Sequence, residues 1–182
     1  THINQNYTYG MKKMSFYGNE NINSNEIKIR AKKFAERHKD AHYERGQAQS
    51  FYDEFWRVFG MDRMSLASYE REIKKNDSNG FIDVFWPKWL IIEQKSAGRS
   101  LDDAMVQADG YCVNLPAYEQ PRYILASDFQ TFHFVDRKER TEHNFKLSAL
   151  HENTQYFDFM RGKDQYEIID EDPVNIDATE LL

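Results

Sequence analysis

Residues 81–95, Phe-Ile-Asp-Val-Phe-Trp-Pro-Lys-Trp-Leu-Ile-Ile-Glu-Gln-Lys, constrain this chain more than any other stretch. They read as two apolar strands joined by a turn around Pro87. Asp83 sits in the first strand, and Glu93 and Lys95 in the second. Both strands are apolar on both faces, as in a hairpin at the centre of a sheet that is covered above and below. Side chains alternate along a strand, so Glu93 and Lys95 share one face and Gln94 takes the other. Charges in so apolar a setting cost several kcal/mol unless partners or a metal compensate.

The turn decides whether Asp83 joins the other two. A two-residue loop at Pro87-Lys88 would set Asp83 opposite Ile92, on the wrong face. An odd connection such as 86–88, or a bulge, brings it to the face of Glu93 and Lys95. Asp83 would then lie opposite Ile91 and diagonal to Glu93, about 7 Å away. Asp83 and Glu93 would be hard oxygen ligands for Mg²⁺, with Lys95 beside an attacking water or a phosphate. The plainer reading is an ion pair at an exposed sheet edge, which the two apolar faces argue against.

Around the hairpin the chain alternates helix and strand signals. Ser24-Asn25 begins a one-sided helix carrying Ile27, Ala31, Phe34, His38 and Ala41, expected to run to about Arg45. A second helix is expected over 48–59, with Phe51, Tyr52, Phe55, Trp56 and Phe59 as an apolar stripe and Gly60 as its stop. Residues 61–69 look like a linker, 70–75 like a first edge strand, and 76–80 like a turn. Ser100 caps a helix from Leu101 to about Val113. Arg122–Ser127 and Thr131–Asp136 form a strand pair, and a short helix falls near Thr154–Met160. The order predicts an α/β fold: a mixed central sheet with flanking helices, preceded by N-terminal helices.

Charge is unevenly spread. The net charge of −6 over 182 residues is owed to the end of the chain, where seven acids follow Asp164 inclusive without one Lys or Arg. The remainder is close to neutral, without the basic footprint of a self-sufficient DNA-binding domain. A single cysteine, Cys112, excludes a disulfide framework and suits a reducing cytoplasm. No apolar run is long enough to span a membrane. The histidines have no metal-ligand spacing; His38 and His42 lack a third ligand at the expected interval.

Asp83, nine residues, then Glu93-x-Lys95 on such a hairpin, followed by a helix and a strand, resembles the PD-(D/E)XK nuclease superfamily. More narrowly, Glu44-Arg45-Gly46-Gln47-Ala48-Gln49-Ser50-Phe51, Glu54-Phe55 and Phe59-Gly60 resemble the amino-terminal region of single-chain restriction–modification enzymes. So do 82–86, 91–96 and 121–129. In that family nuclease, helical spacer, adenine methyltransferase and target recognition domain share one polypeptide. The resemblance covers about 26–176. It implies that Asp83 and Glu93 hold Mg²⁺, with Mn²⁺ as a substitute, and that Lys95 serves the hydrolytic water. It also implies double-stranded DNA as substrate, a cytoplasmic setting, phage defence, dimerisation on DNA for cleavage, and further domains of the same chain as partners. S-adenosylmethionine would belong only to the missing methyltransferase part, since no Asn-Pro-Pro-Tyr motif is present here. Many relatives are expected to carry His where this chain has Gln94. Gln107 and Tyr111 resemble the Gln-x3-Tyr element of the superfamily's exonuclease branch, against a plain core role for Tyr111. Glu54 resembles an acid brought from a first helix, against the reading as a solvated flank. The organisation expected is an arm over 1–24, a nuclease domain over 25–163, and an acidic linker over 164–182. Two other functions fit less well: a silent docking module of a defence methyltransferase, and a free-standing repair nuclease.

Overall fold

The computed structural model describes residues 22–74 and 79–161, so the proposed arm and acidic linker lie almost wholly outside the described residues. Helix α1 spans Ser24–Arg37. Asn23 caps it, its side chain accepting from the Glu26 N–H at 2.9 Å. Its apolar face buries Ile27, Ala31, Phe34 and Ala35. The expected continuation to Arg45 does not occur. The chain turns after Arg37, and helix α2 begins at Glu44 and runs to Val58. The misleading stripe has a simple cause: Ala41 is buried too, but within the turn, so the spacing of apolar residues outlasts the helix. Gln47 closes the gap, its side-chain carbonyl accepting from the N–H groups of His42 (3.0 Å) and Tyr43 (2.8 Å). Gly46 lies inside α2, where a Cβ would come within 3.1 Å of the Tyr43 ring. Gly60, at φ 77°, is the left-handed stop expected of it.

Six strands form one sheet in sequence order: β1 Ser68–Lys74, β2 Asn79–Trp86, β3 Leu90–Gln94, β4 Tyr123–Ser127, β5 Thr131–Asp136 and β6 Thr141–Lys146. Every neighbouring pair is antiparallel except β3 and β4, which are parallel and joined through helix α3, Leu101–Asn114. The first strand starts two residues earlier than expected. The expected turn at 76–80 is only partly described, and Asn79 and Gly80 belong to β2. Neither β6 nor the 3-10 turns at Leu147–Glu152 were expected from the sequence. The final helical stretch, Thr154–Arg161, is a 3-10 helix kinked at Phe157.

Every residue of β3 and β4 is buried, as a central hairpin strand and its parallel neighbour should be. One face packs against α1, α2 and the C-terminal 3-10 turns through an aromatic core. Phe51 meets Phe129 at 5.2 Å between ring centroids, and Phe55 meets Phe157 at 5.1 Å, both edge to face. The other face packs Ile82, Phe85, Ile91 and Ile124 against Ala108, Tyr111, Cys112 and Leu115 from the α3 side. Small residues at Ala104 and Ala108, fully buried, let α3 lie close on the sheet. Among the described residues no helix is long and apolar enough to cross a membrane.

Candidate functional site

The connection between β2 and β3 is three residues, 87–89, with Val84 paired to Ile92, Phe85 to Ile91 and Trp86 to Leu90. The odd length matches expectation, but the register differs from a loop at 86–88. The rung after Val84–Ile92 aligns Asp83 with Glu93 rather than with Ile91. Main-chain pairing stops there. The Gln94 N–H, which a continued ladder would join to β2 main chain, donates instead to Asp83 Oδ2 at 2.7 Å. On the opposite side of β2, Glu70 of β1 adopts φ 52°, and the β1–β2 pairing passes over Glu70 and Asp83. Ile82 and Val84, two apart, consequently fall into cores on different faces. Asp83 therefore stands where regular alternation breaks, at the splayed end of the hairpin.

Glu93 is completely buried, and neither of its carboxyl oxygens meets a hydrogen-bond partner among the described residues. Burial pushes its pKa up to about 9; Asp83 pushes the same way and Lys95 opposes. Asp83 is also raised, by burial first, against the pull of the Gln94 N–H, while nearby Glu44 adds to the rise. Lys95 Nζ lies 3.7 Å from Glu93 Oε2 and donates to Gln107 Oε1 at 2.8 Å. Gln107 Nε2 in turn donates to the Tyr111 hydroxyl at 2.8 Å. The i, i+4 pair on α3 thus reaches Lys95, and Tyr111 also packs in the core.

Gln94 faces the other way, as alternation requires. Its side-chain carbonyl accepts from the Tyr52 hydroxyl, and its amide donates to the Lys95 carbonyl at 2.7 Å. Together with Asp83, Tyr52, Tyr69, Glu44, Arg45 and Gln49 it lines a cleft of about 180 Å³. Glu54 is not brought here. It binds Arg37 at 2.7 Å and His38 at 3.1 Å, where burial raises its pKa but these two partners outweigh it and leave it lowered. The acid that does face the pair is Glu44, whose charge raises the pKa of both Asp83 and Glu93. The sequence offered a signal for it, since Glu44 opens the second helix, but the expected helix start at 48 hid that.

The site occupies the carboxyl end of the parallel pair β3–β4, where the chain leaves the sheet and α3 crosses over, a usual position for ligands in open α/β sheets. The Lys95 N–H donates to the Ser127 carbonyl at 2.7 Å, and the Ala97 N–H to the His42 carbonyl at 3.1 Å, which ties the α1–α2 turn to the same edge. A buried carboxylate with two orphaned oxygens beside a second carboxylate fits a divalent cation. Among the described residues no group of three or more His, Cys, Asp or Glu side chains is set to hold a metal.

A family model, that of the MmeI N-terminal domain, matches residues 25–182. No match was found among curated proteins or among solved structures.

Proposed function

The chain belongs to the MmeI N-terminal domain family, and on that footing we propose that it is the Mg²⁺-dependent endonuclease part of a restriction–modification enzyme, with a PD-(D/E)XK site built from Asp83, Glu93 and Lys95. The observation that carries this reading is the Glu93 carboxylate, buried next to Asp83 without a hydrogen-bond partner among the described residues. A protein that had no use for it would have little reason to keep an acid there, since a buried, unsatisfied carboxyl group costs free energy.

When bound, Mg²⁺ or Mn²⁺ would lower the pKa of a water and polarise the phosphoryl oxygens. Asp83 and Glu93 are the residues to hold it. Glu93 must release its proton to do so, and a cation's charge would reverse the upward push that burial and Asp83 exert. Lys95 offers an ammonium donor at the rim, only partly exposed, and Gln107 fixes its direction. From there it orients the nucleophilic water and offsets charge on the phosphate. Gln107 is a positioning residue, held by Tyr111. Glu44 adds negative field on the cleft side, favouring cation uptake. Double-stranded DNA is the substrate in this reading, and methylation would belong to other domains.

The test is calorimetric titration of Mn²⁺ into the protein, alongside nicking of supercoiled plasmid in Mg²⁺ or Mn²⁺. The wild type should take up the metal with proton release, and Glu93→Gln and Asp83→Ala should lose that uptake. Uptake unchanged in both variants would sink the site. Absence of both metal uptake and nicking in the wild type would favour a docking module that performs no catalysis.

A further inference from the structure

Charge on the described part of the molecule is segregated. Six Lys and Arg lie from Lys28 to Lys39 against one acid, Glu36, with Glu26 and Asp40 flanking the stretch, so the rest of the described surface is net acidic. On one flank of α1 this basic stretch borders an open groove of about 620 Å³ between α1 and the β5–β6 end of the sheet. Lys32 and Lys39 stand on one wall, and Lys146, Ser148 and His151 on the other. The lysines are exposed, and Lys32 and Lys146 have no ion-pair partner among the described residues. The acid on the groove wall is Glu36, engaged by Lys39 at 2.6 Å; Glu152 lies outside it, against His151 at 3.4 Å.

Hydrogen bonds tie the groove's walls to neighbouring segments. The Gln130 side chain donates to the Ala41 carbonyl at 2.9 Å, and the Leu147 N–H donates to the Gln130 carbonyl at 2.9 Å. From Ala41 the chain reaches His42, whose carbonyl holds Ala97, two residues past Lys95.

We propose that this groove is a rail for the phosphate backbone of duplex DNA flanking the cleavage site, with Lys32, Lys39 and Lys146 as the phosphate contacts. The proposal rests on the nuclease reading for its substrate. An open, cation-walled channel with hydroxyl donors from Thr131 and Ser148 suits a polyanion tracked along its length, not a compact apolar ligand. A near-neutral domain can in this way hold DNA locally without a basic surface overall.

The experiment is fluorescence anisotropy of a labelled duplex with the 182-residue chain in EDTA, from 25 to 200 mM salt. The variant Lys32→Gln/Lys39→Gln/Lys146→Gln is compared with Lys74→Gln/Lys88→Gln/Lys138→Gln, which removes the same charge elsewhere, after circular dichroism shows both are folded. Each lost phosphate contact lowers the log–log salt slope by about 0.9, so the groove variant should lose about 2 to 3 in slope. It should also bind at least about tenfold more weakly than the control at 50 mM salt. Equal loss in both variants, or duplex binding undetectable at 25 mM salt, would overturn the rail. So would carbodiimide cross-links from the groove lysines to acids of 164–180 that persist under saturating DNA, because the groove's occupant would then be the chain's own acidic end. Calorimetric Mn²⁺ titration of the wild type and of the same two triple variants separates the two ideas. Wild-type metal uptake with duplex binding unaffected in the groove variant faults the rail alone, and weakened duplex binding in the groove variant with no metal uptake by the wild type faults the site alone.

Discussion

Glu93→Gln should change how the metal-free protein's stability depends on pH. In the unfolded chain Glu93 titrates near 4.5, whereas in the fold it holds its proton to about 9. A group whose folded pKa is raised favours the fold fully below the unfolded value, and that contribution is lost as pH rises toward the folded one. At pH 7 the unfolded chain gains by ionising while the folded side chain stays protonated. At about 1.4 kcal/mol per pH unit, the fold is weakened by about 3 kcal/mol relative to pH 4.5. For a domain of this size that is a melting temperature lower by about 6–12 °C. Glutamine has the shape of the neutral acid and does not titrate. The variant should therefore lose most of the wild type's decline between pH 5 and 8, keeping only the share due to Asp83. The assay is thermal and urea unfolding in EDTA at half-unit pH steps. The slope, not the absolute stability, is the readout, because a buried amide has its own unsatisfied groups. A variant that declines as steeply as the wild type would mean that Glu93 is ionised in the fold, and the reasoning about its orphaned oxygens would fail. Adding Mg²⁺ at pH 8 should restore stability to the wild type and not to Glu93→Gln.

Other expectations are more direct. Asp83→Ala, Glu93→Ala and Lys95→Ala should each abolish plasmid cleavage by a chain competent to cut, with adenine methylation by any linked domain unaffected; cleavage near wild-type level in all three would reduce the cluster to a structural ion-pair network. Gln107→Ala removes the 2.8 Å acceptor of Lys95 and should slow cleavage while leaving Mn²⁺ uptake intact, so lost uptake would contradict a positioning role. Gly110 sits inside α3, where an added methyl would meet nothing within 4 Å, and Gly110→Ala should stabilise the domain by about 0.5–1 kcal/mol in urea unfolding. Phe55→Ala empties the centre of the aromatic core and should cost about 3–5 kcal/mol by the same measurement.

Much of the architecture was legible because it rests on periodicity and punctuation. The hairpin, the Ser100-capped helix, the Tyr123–Asp136 strand pair and the stop at Gly60 all carry local signals strong enough to survive tertiary context. The break between α1 and α2 was not legible, because a turn stabilised by the Gln47 side chain leaves the apolar spacing intact across it. Strand β6 was missed for the opposite reason. It is an edge strand, Thr-Glu-His-Asn-Phe-Lys, with one buried residue, Phe145, so it shows almost no alternation to detect.

The site divides along the same line. That Glu93 and Lys95 share a face follows from strand geometry alone, and Gln107 and Tyr111 reach them because i and i+4 coincide on a helix. The position of Asp83 does not follow from any period. It depends on the connection falling at 87–89, which shifts the rung from Ile91 to Glu93, and on the break in alternation opposite Glu70. Both features come from the pairing of strands, and a single sequence records pairing only weakly. The same limit bears on the helical acids. Glu54 lies beside a recognisable stripe, whereas Glu44 comes close enough to raise the pKa of Asp83 and Glu93 only because the first helix ends at Arg37 and the next begins at Glu44. Where a carboxylate's environment is made by contacts distant in sequence, its chemistry is read from the fold; where it is made by neighbours two or four residues away, it is read from the chain.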